Sequence, residues 1–170
     1  MKIALGDFKR KGGRFISINP VRTGYSAIAD EWVPIRPGTD GLFALAIVHE
    51  LLKHDWIDHE YLVKYTNAPW LVIDAPGTSQ DGLFARDAEG KPLVFDQNTQ
   101  NAGRMEKGVA PALHWSGDAN GQTVRTVFSL ILDRYSGDEY APETVATGCG
   151  VPAEQIRRIA AEIAHVAFKE

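Results

Sequence analysis

Two short polar stretches of this chain combine residue types that bind anions and hydroxyl groups. Asn19, Pro20, Arg22 and Thr23 follow the apolar run Phe15-Ile-Ser-Ile18, and Pro37, Gly38, Thr39 and Asp40 follow Trp32-Val-Pro-Ile35. Arg22 is a permanently charged fork of donors, the natural partner of a diphosphate. Asn19 and Thr23 can bond ribose hydroxyls or phosphate oxygens, or close a local turn with their own side chains. Gly38 provides a positive φ or lets the backbone approach a flat ligand. Asp40 supports a helix dipole, or it accepts two hydrogen bonds from adjacent donors such as the N1–H and N2–H₂ edge of guanine. Arg36, beside Pro37, is the weaker candidate and is expected to be solvated.

The elements that must position these residues are legible around them. Each stretch reads as a turn at the carboxyl end of a strand, the second leading into a helix. In an open parallel α/β sheet that edge is where ligands bind, and helix N-termini there offer free N–H groups to anions. The sequence predicts a helix over 40–54, with Thr39 as N-cap and Leu42, Leu45, Ala46, Val48 and Leu52 at mostly helical spacing. Asp58 caps a second helix over 60–65, ended by Asn67-Ala-Pro69. Residues 70–73 read as a buried strand. Residues 83–86 and 92–95 read as a hairpin about the turn Asp87-Ala-Glu-Gly-Lys91. The polar, glycine-rich stretch 96–121 reads as a long loop, and 123–135 as a helix with Val124, Val127, Phe128 and Ile131 on one face. Pro152 opens a last helix whose inner face carries Ile156, Ile159, Ala160 and Ile163. Trp32 and Trp70 are expected in the core, Trp115 in an exposed loop.

At these residues the chain resembles the molybdopterin oxidoreductases, the dimethyl-sulfoxide-reductase superfamily, in its formate-dehydrogenase and nitrate-reductase branch. The family pattern is a strand, an Asp-Pro-Arg-x-Thr-like turn, Ala-Asp, then Pro-Gly-Thr-Asp and an apolar helix. Here Asn19 stands for the usual Asp and Val21 for the usual Arg. Pro20, Arg22, Thr23, Ala29, Asp30, Pro37, Gly38, Thr39 and Asp40 are kept. The run from Tyr140-Ala-Pro-Glu-Thr-Val to Gly150-Val-Pro-Ala-Glu-Gln-Ile-Arg-Arg-Ile resembles the family's closing helix pair. The resemblance implies a domain that binds the guanine dinucleotide arm of the molybdenum cofactor in its bis form. Molybdenum or tungsten would be held outside this segment, and an iron–sulfur cluster would lie upstream. It also implies a fragment of a longer subunit, whose partners are the other domains of that subunit and whose small-molecule substrate binds elsewhere. The segment alone is expected to be inactive.

The fold expected for residues 1–170 is one α/β domain: a Rossmann-like, mainly parallel sheet flanked by helices, with a β-hairpin excursion over 83–95. A length of 170 residues, 44% hydrophobic and 24% charged, suits a globular domain with a real core. A net charge of −4 disfavours a nucleic-acid backbone as partner. No apolar run suggests a membrane helix, and no signal-peptide core follows Met1, which favours a cytoplasmic location without deciding it. The single cysteine, Cys149, cannot form a disulfide or an all-cysteine cluster within the chain. His49 and His54 are one residue too far apart for the His-Glu-x-x-His zinc signature, and His49, His54, His59 and His114 are read as surface or boundary residues. No catalytic nucleophile set and no metal site is visible. The reading from another functional class is a stand-alone nucleotide- or partner-binding module without redox activity.

Overall fold

The computed structural model describes residues 2–168. In chain order the elements are α1 (Lys2–Arg10), β1 (Ile16–Ile18), β2 (Glu31–Val33), α2 (Asp40–Lys53), α3 (His59–Tyr65), β3 (Leu71–Ile73) and β4 (Leu93–Asp96). There follow β5 (Asn101–Arg104), β6 (Ser116–Ala119), β7 (Gln122–Thr126), α4 (Val127–Tyr135), α5 (Pro142–Cys149) and α6 (Ala153–Ala167). Contacts divide the chain into two compact units: a split unit of Met1–Trp56 with Ser136–Glu170, and an inserted unit, Ile57–Tyr135.

In the split unit β1 and β2 pair in parallel, with Ile16 opposite Glu31 and Ile18 opposite Val33. The core gathers Val33 and Ile35 from the second strand and the residues after it. Phe43 and Ala46 of α2, Val145 and Cys149 of α5, Val151, and Ile156 and Ile159 of α6 complete it. These positions recur at three- and four-residue intervals, so each helix turns one stripe inward. Gly150 ends α5 in the left-handed region (φ 77°), its N–H donating to Ala146 O, and Pro152 then precedes α6. Pro152 is thus the N-cap of α6 rather than its first helical residue. On the surface Arg14 pairs with both Glu31 and Glu162 at 2.5 Å, and Arg158 pairs with the same two carboxylates. Burial raises the Glu31 pKa, but hydrogen bonds from Gln155 and Arg158 outweigh it and leave Glu31 below its usual value.

The inserted unit is antiparallel. β7 lies between β3 and β6, and β4 pairs with β5. Leu71, Ile73, Ala85, Leu93, Phe95, Ala112 and Val124 form its core. The Asp96 carboxylate accepts from the N–H groups of Asn98 and Ala110, both at 3.0 Å, and from the Thr99 hydroxyl. These bonds, that from Ala110 first and that from Asn98 next, hold its pKa below the usual carboxylate range.

Helices and strands are mixed, as expected, but the mainly parallel sheet is not what forms: β1–β2 is the parallel pair, and the pairings of the inserted unit are antiparallel. Several local expectations also change. The 87–91 turn closes, with Asp87 N–H donating to Lys91 O at 3.0 Å, but residues 83–86 contribute isolated bridges rather than a strand. The stretch expected as a long loop contains β5 and β6. Residues 122–126 are strand, not helix, because Thr-Val-Arg-Thr alternates and pairs on both sides. Trp115 stacks on Phe95 with ring centroids 3.9 Å apart, so it packs against the core rather than standing free in a loop. Trp32 and Trp70 are only half buried. Ile163 stays 46% exposed although it continues the apolar row of α6, and His49 is buried at 4%.

Candidate functional site

The two polar turns leave the same edge of the parallel pair. β1 runs directly into Asn19, whose N–H donates to Val33 O at 3.1 Å, and β2 runs through Pro34 and Ile35 to the second turn. The Asn19 side chain folds back to accept from Val21 N–H at 2.9 Å, so its oxygen closes the turn while its amide N–H₂ is left over. Trp32, expected only as a core residue, supports this turn twice. Its indole N–H donates to Asn19 O at 2.8 Å, and its ring carries the Arg22 guanidinium 5.9 Å from the centroid. Pro20, Arg22 and Thr23 are exposed. Arg22 has no ion pair and the Thr23 hydroxyl no hydrogen bond among the described residues. Asp30 anchors the approach, accepting from Phe15 N–H and pairing with Lys9 at 2.7 Å. The Lys9 bond first, and the Phe15 N–H next, hold its pKa low.

The second turn is fixed from below. The Arg36 guanidinium donates to Thr147 O (3.1 Å) and Gly148 O (2.9 Å), and its backbone N–H donates to Cys149 O at 2.8 Å. Arg36 is therefore not merely solvated. It satisfies the open carbonyls at the end of α5 and so sets where Pro37 begins. Gly38 adopts φ 79°, which a side chain would strain. Thr39 is the N-cap position of α2, but its hydroxyl donates to Arg36 O at 2.7 Å instead of capping the helix. Asp40 opens α2, is exposed, and has no hydrogen-bond or ion-pair partner among the described residues.

The structure thus brings both turns to one strand edge, while the bonds described tie the first turn to β2 and the second to α5 rather than to each other. Among the described residues, what this edge offers is a guanidinium and a carboxylate without ion pairs, a spare amide and a hydroxyl, at the start of a 14-residue helix. Such a set recognises a ligand with an anionic part and a separate pair of donors. Trp32 and Arg36, which position these groups, are legible in the sequence only as an aromatic in a strand and a cation before proline. Neither signal distinguishes a support from a bystander.

No family model matches the chain. Curated proteins do. The chain is 43% identical over 174 residues to a sulfite dehydrogenase subunit of Allochromatium vinosum, covering 96% of this chain and 18% of that one. It is 33% identical over 155 residues to the formate dehydrogenase major subunit of Haemophilus influenzae (91% and 14%). It is 32% identical over 114 residues to the nitrate reductase alpha chain of Bacillus subtilis (57% and 9%). The chain spans less than a fifth of the length of these relatives.

Proposed function

We propose, since this chain belongs to the molybdopterin oxidoreductase family, that its strand-end turns hold the guanine dinucleotide arm of a molybdopterin cofactor within a larger oxidoreductase subunit. The observation that carries this reading is the pair of exposed, oppositely charged side chains, Arg22 and Asp40, neither of them in an ion pair among the described residues, on turns that leave one edge of a parallel strand pair. The donor set fits the group. Arg22 would hold the diphosphate, and the Asp40 carboxylate the two adjacent donors of the guanine edge. Asn19 and Thr23 would take ribose hydroxyls or phosphate oxygens, with Pro20 stiffening the turn between them. Gly38 and Thr39 would present backbone to the flat base.

When bound, the cofactor with its molybdenum or tungsten supplies the redox chemistry, and the protein supplies binding, orientation and electrostatics. The metal, any iron–sulfur cluster and the substrate would be held by other domains of the same subunit. The test is cofactor content of the purified full-length subunit, released and quantified as guanine nucleotide. Asp40→Ala should reduce it tenfold or more, because unpaired donors cost about 1–3 kcal/mol. Unchanged guanine content would make Asp40 a helix-start residue only.

A further inference from the structure

The inserted unit holds a cleft of about 780 Å³, lined from the end of α3, the turn after it and one end of the β4–β5 pair. The turn is held by its backbone. Trp70 N–H donates to Asn67 O, Val127 N–H to Trp70 O and Phe128 N–H to Ala68 O, each at 3.0 Å. The Thr66 hydroxyl donates to Leu62 O at 2.6 Å and accepts from Ala68 N–H at 3.1 Å. The Asn67 amide and the Trp70 indole N–H are left without hydrogen bonds among the described residues. Lys64 and Lys91 line the same cleft, both exposed and neither in an ion pair among the described residues. Arg104, by contrast, already pairs with Asp87 and Glu89, and Glu106 is the one carboxylate on the wall. These charges nearly cancel, so no long-range field gathers an occupant. What the cleft offers is local: two unpaired ammonium groups beside two spare donors.

The apolar part of the wall is exposed as well. Tyr65 and Met105 are 64% and 45% exposed, and α3 buries none of its own residues. Tyr61, one turn before Tyr65, meets it with ring centroids 5.1 Å apart and carries the aromatic surface beyond the cleft. Exposed aromatics and methionine ringed by polar groups are the composition of a protein interface, and the surface is wider than one small molecule would cover. We propose that this cleft docks a separate polypeptide, through a segment with carboxylates on both sides of an apolar side chain. The apolar side chain packs against Trp70 and Met105. The carboxylates pair with Lys64 and Lys91 and accept from the Asn67 amide and the Trp70 indole N–H. This inference does not depend on what the turns of the split unit bind.

The experiment titrates the full-length subunit into a fluorescein-labelled peptide, Asp-Glu-Phe-Leu-Glu-Asp, and reads the anisotropy, with Lys-Lys-Phe-Leu-Lys-Lys as control. The acidic peptide should saturate with a Kd below about 1 mM and bind about tenfold tighter than the control. Lys64→Glu combined with Lys91→Glu should weaken the acidic peptide about tenfold or more and strengthen the control, a reversal that misfolding does not produce. Guanine nucleotide content should stay unchanged in that variant, which separates this test from the reading of the strand-end turns. No saturation by the acidic peptide would overturn the proposal, and so would equal binding of the two peptides. A charge-reversed protein that loses the acidic peptide without gaining the control would overturn it too.

Discussion

The two units differ in how far their polar side chains serve the backbone. In the inserted unit, carboxylates organise the chain itself. Asp96 gathers the N–H groups of Asn98 and Ala110, and Asp87 accepts from Glu89 and Lys91 N–H while pairing with Arg104. Short strands and tight turns leave many backbone donors that such acids must satisfy. In the split unit, helices satisfy their own backbones and Arg36 closes the end of α5. Arg22 and Asp40 consequently remain without an ion pair among the described residues, at the strand edge. On the proposed reading, a binding residue is a charged group that the fold does not need.

The largest test asks whether each unit has a core of its own. Ile156→Ala in the split unit and Leu71→Ala in the inserted unit remove fully buried side chains. Each should cost about 2–5 kcal/mol in urea unfolding of the chain. A silent substitution in either would mean that the unit is not packed as described.

The second test sets a free cation against an engaged one. In the full-length subunit, Arg22→Ala should lower guanine nucleotide content about tenfold or more, a charged hydrogen bond contributing about 1.5–3 kcal/mol. Arg104→Ala should leave that content unchanged, because Arg104 already pairs with Asp87 and Glu89. Equal losses would erase the contrast between the units.

Acid reads the organising carboxylates directly. The folded-state pKa of Asp96 is lowered, so its contribution is present above the unfolded value of about 4 and is lost as pH falls through the folded value. The urea midpoint of the wild-type chain should drop below about pH 4. Asp96→Asn should start lower at neutral pH and fall less steeply in that window. Parallel curves for the two proteins would remove Asp96 from its organising role.

The smallest effect sharpens the comparison from the other side. Val21 is exposed next to Arg22 and stands where the resembled family usually has arginine. Val21→Arg adds a second cation to the same turn. It should raise cofactor retention by no more than a few fold, since exposed charge pairs contribute about 0.2–1 kcal/mol. Competition by a guanine nucleotide in the full-length subunit would measure it.

The split unit is the more legible of the two. Apolar strand ends, Pro-Gly-Thr-Asp and a helix with regular apolar spacing all reappear, because local pattern and burial agree there. In the inserted unit the pattern is weaker than the pairing. β5 is Asn-Ala-Gly-Arg and carries no apolar alternation, but it is recruited by β4, whose four residues are all buried. β6 is Ser-Gly-Asp-Ala and is brought onto β7 by the turn Asn120-Gly121, where both residues have positive φ (57° and 76°). That dipeptide is the strongest short hairpin signal a sequence carries, and the polar composition of 96–121 masks it. His49 departs from expectation for another reason. Its spacing from Phe43 and Ala46 puts it on the inward stripe of α2, which residue type alone obscures.

Because residues 57–135 interrupt the split unit, the order of synthesis becomes a hazard. When Trp56 leaves the ribosome, the apolar faces of β2 and α2 have emerged without the helices that cover them. At about 5–20 residues per second, the intervening segment takes roughly 4–16 seconds to be made. For that interval Val33, Phe43 and Ala46 lack Val145, Ile156 and Ile159, with which they share a core. The inserted unit is contiguous and can collapse as soon as its last strand and helix appear. Within this segment the nascent chain is therefore exposed to chaperones, and to aggregation, for longer through β2 and α2 than through the unit made next.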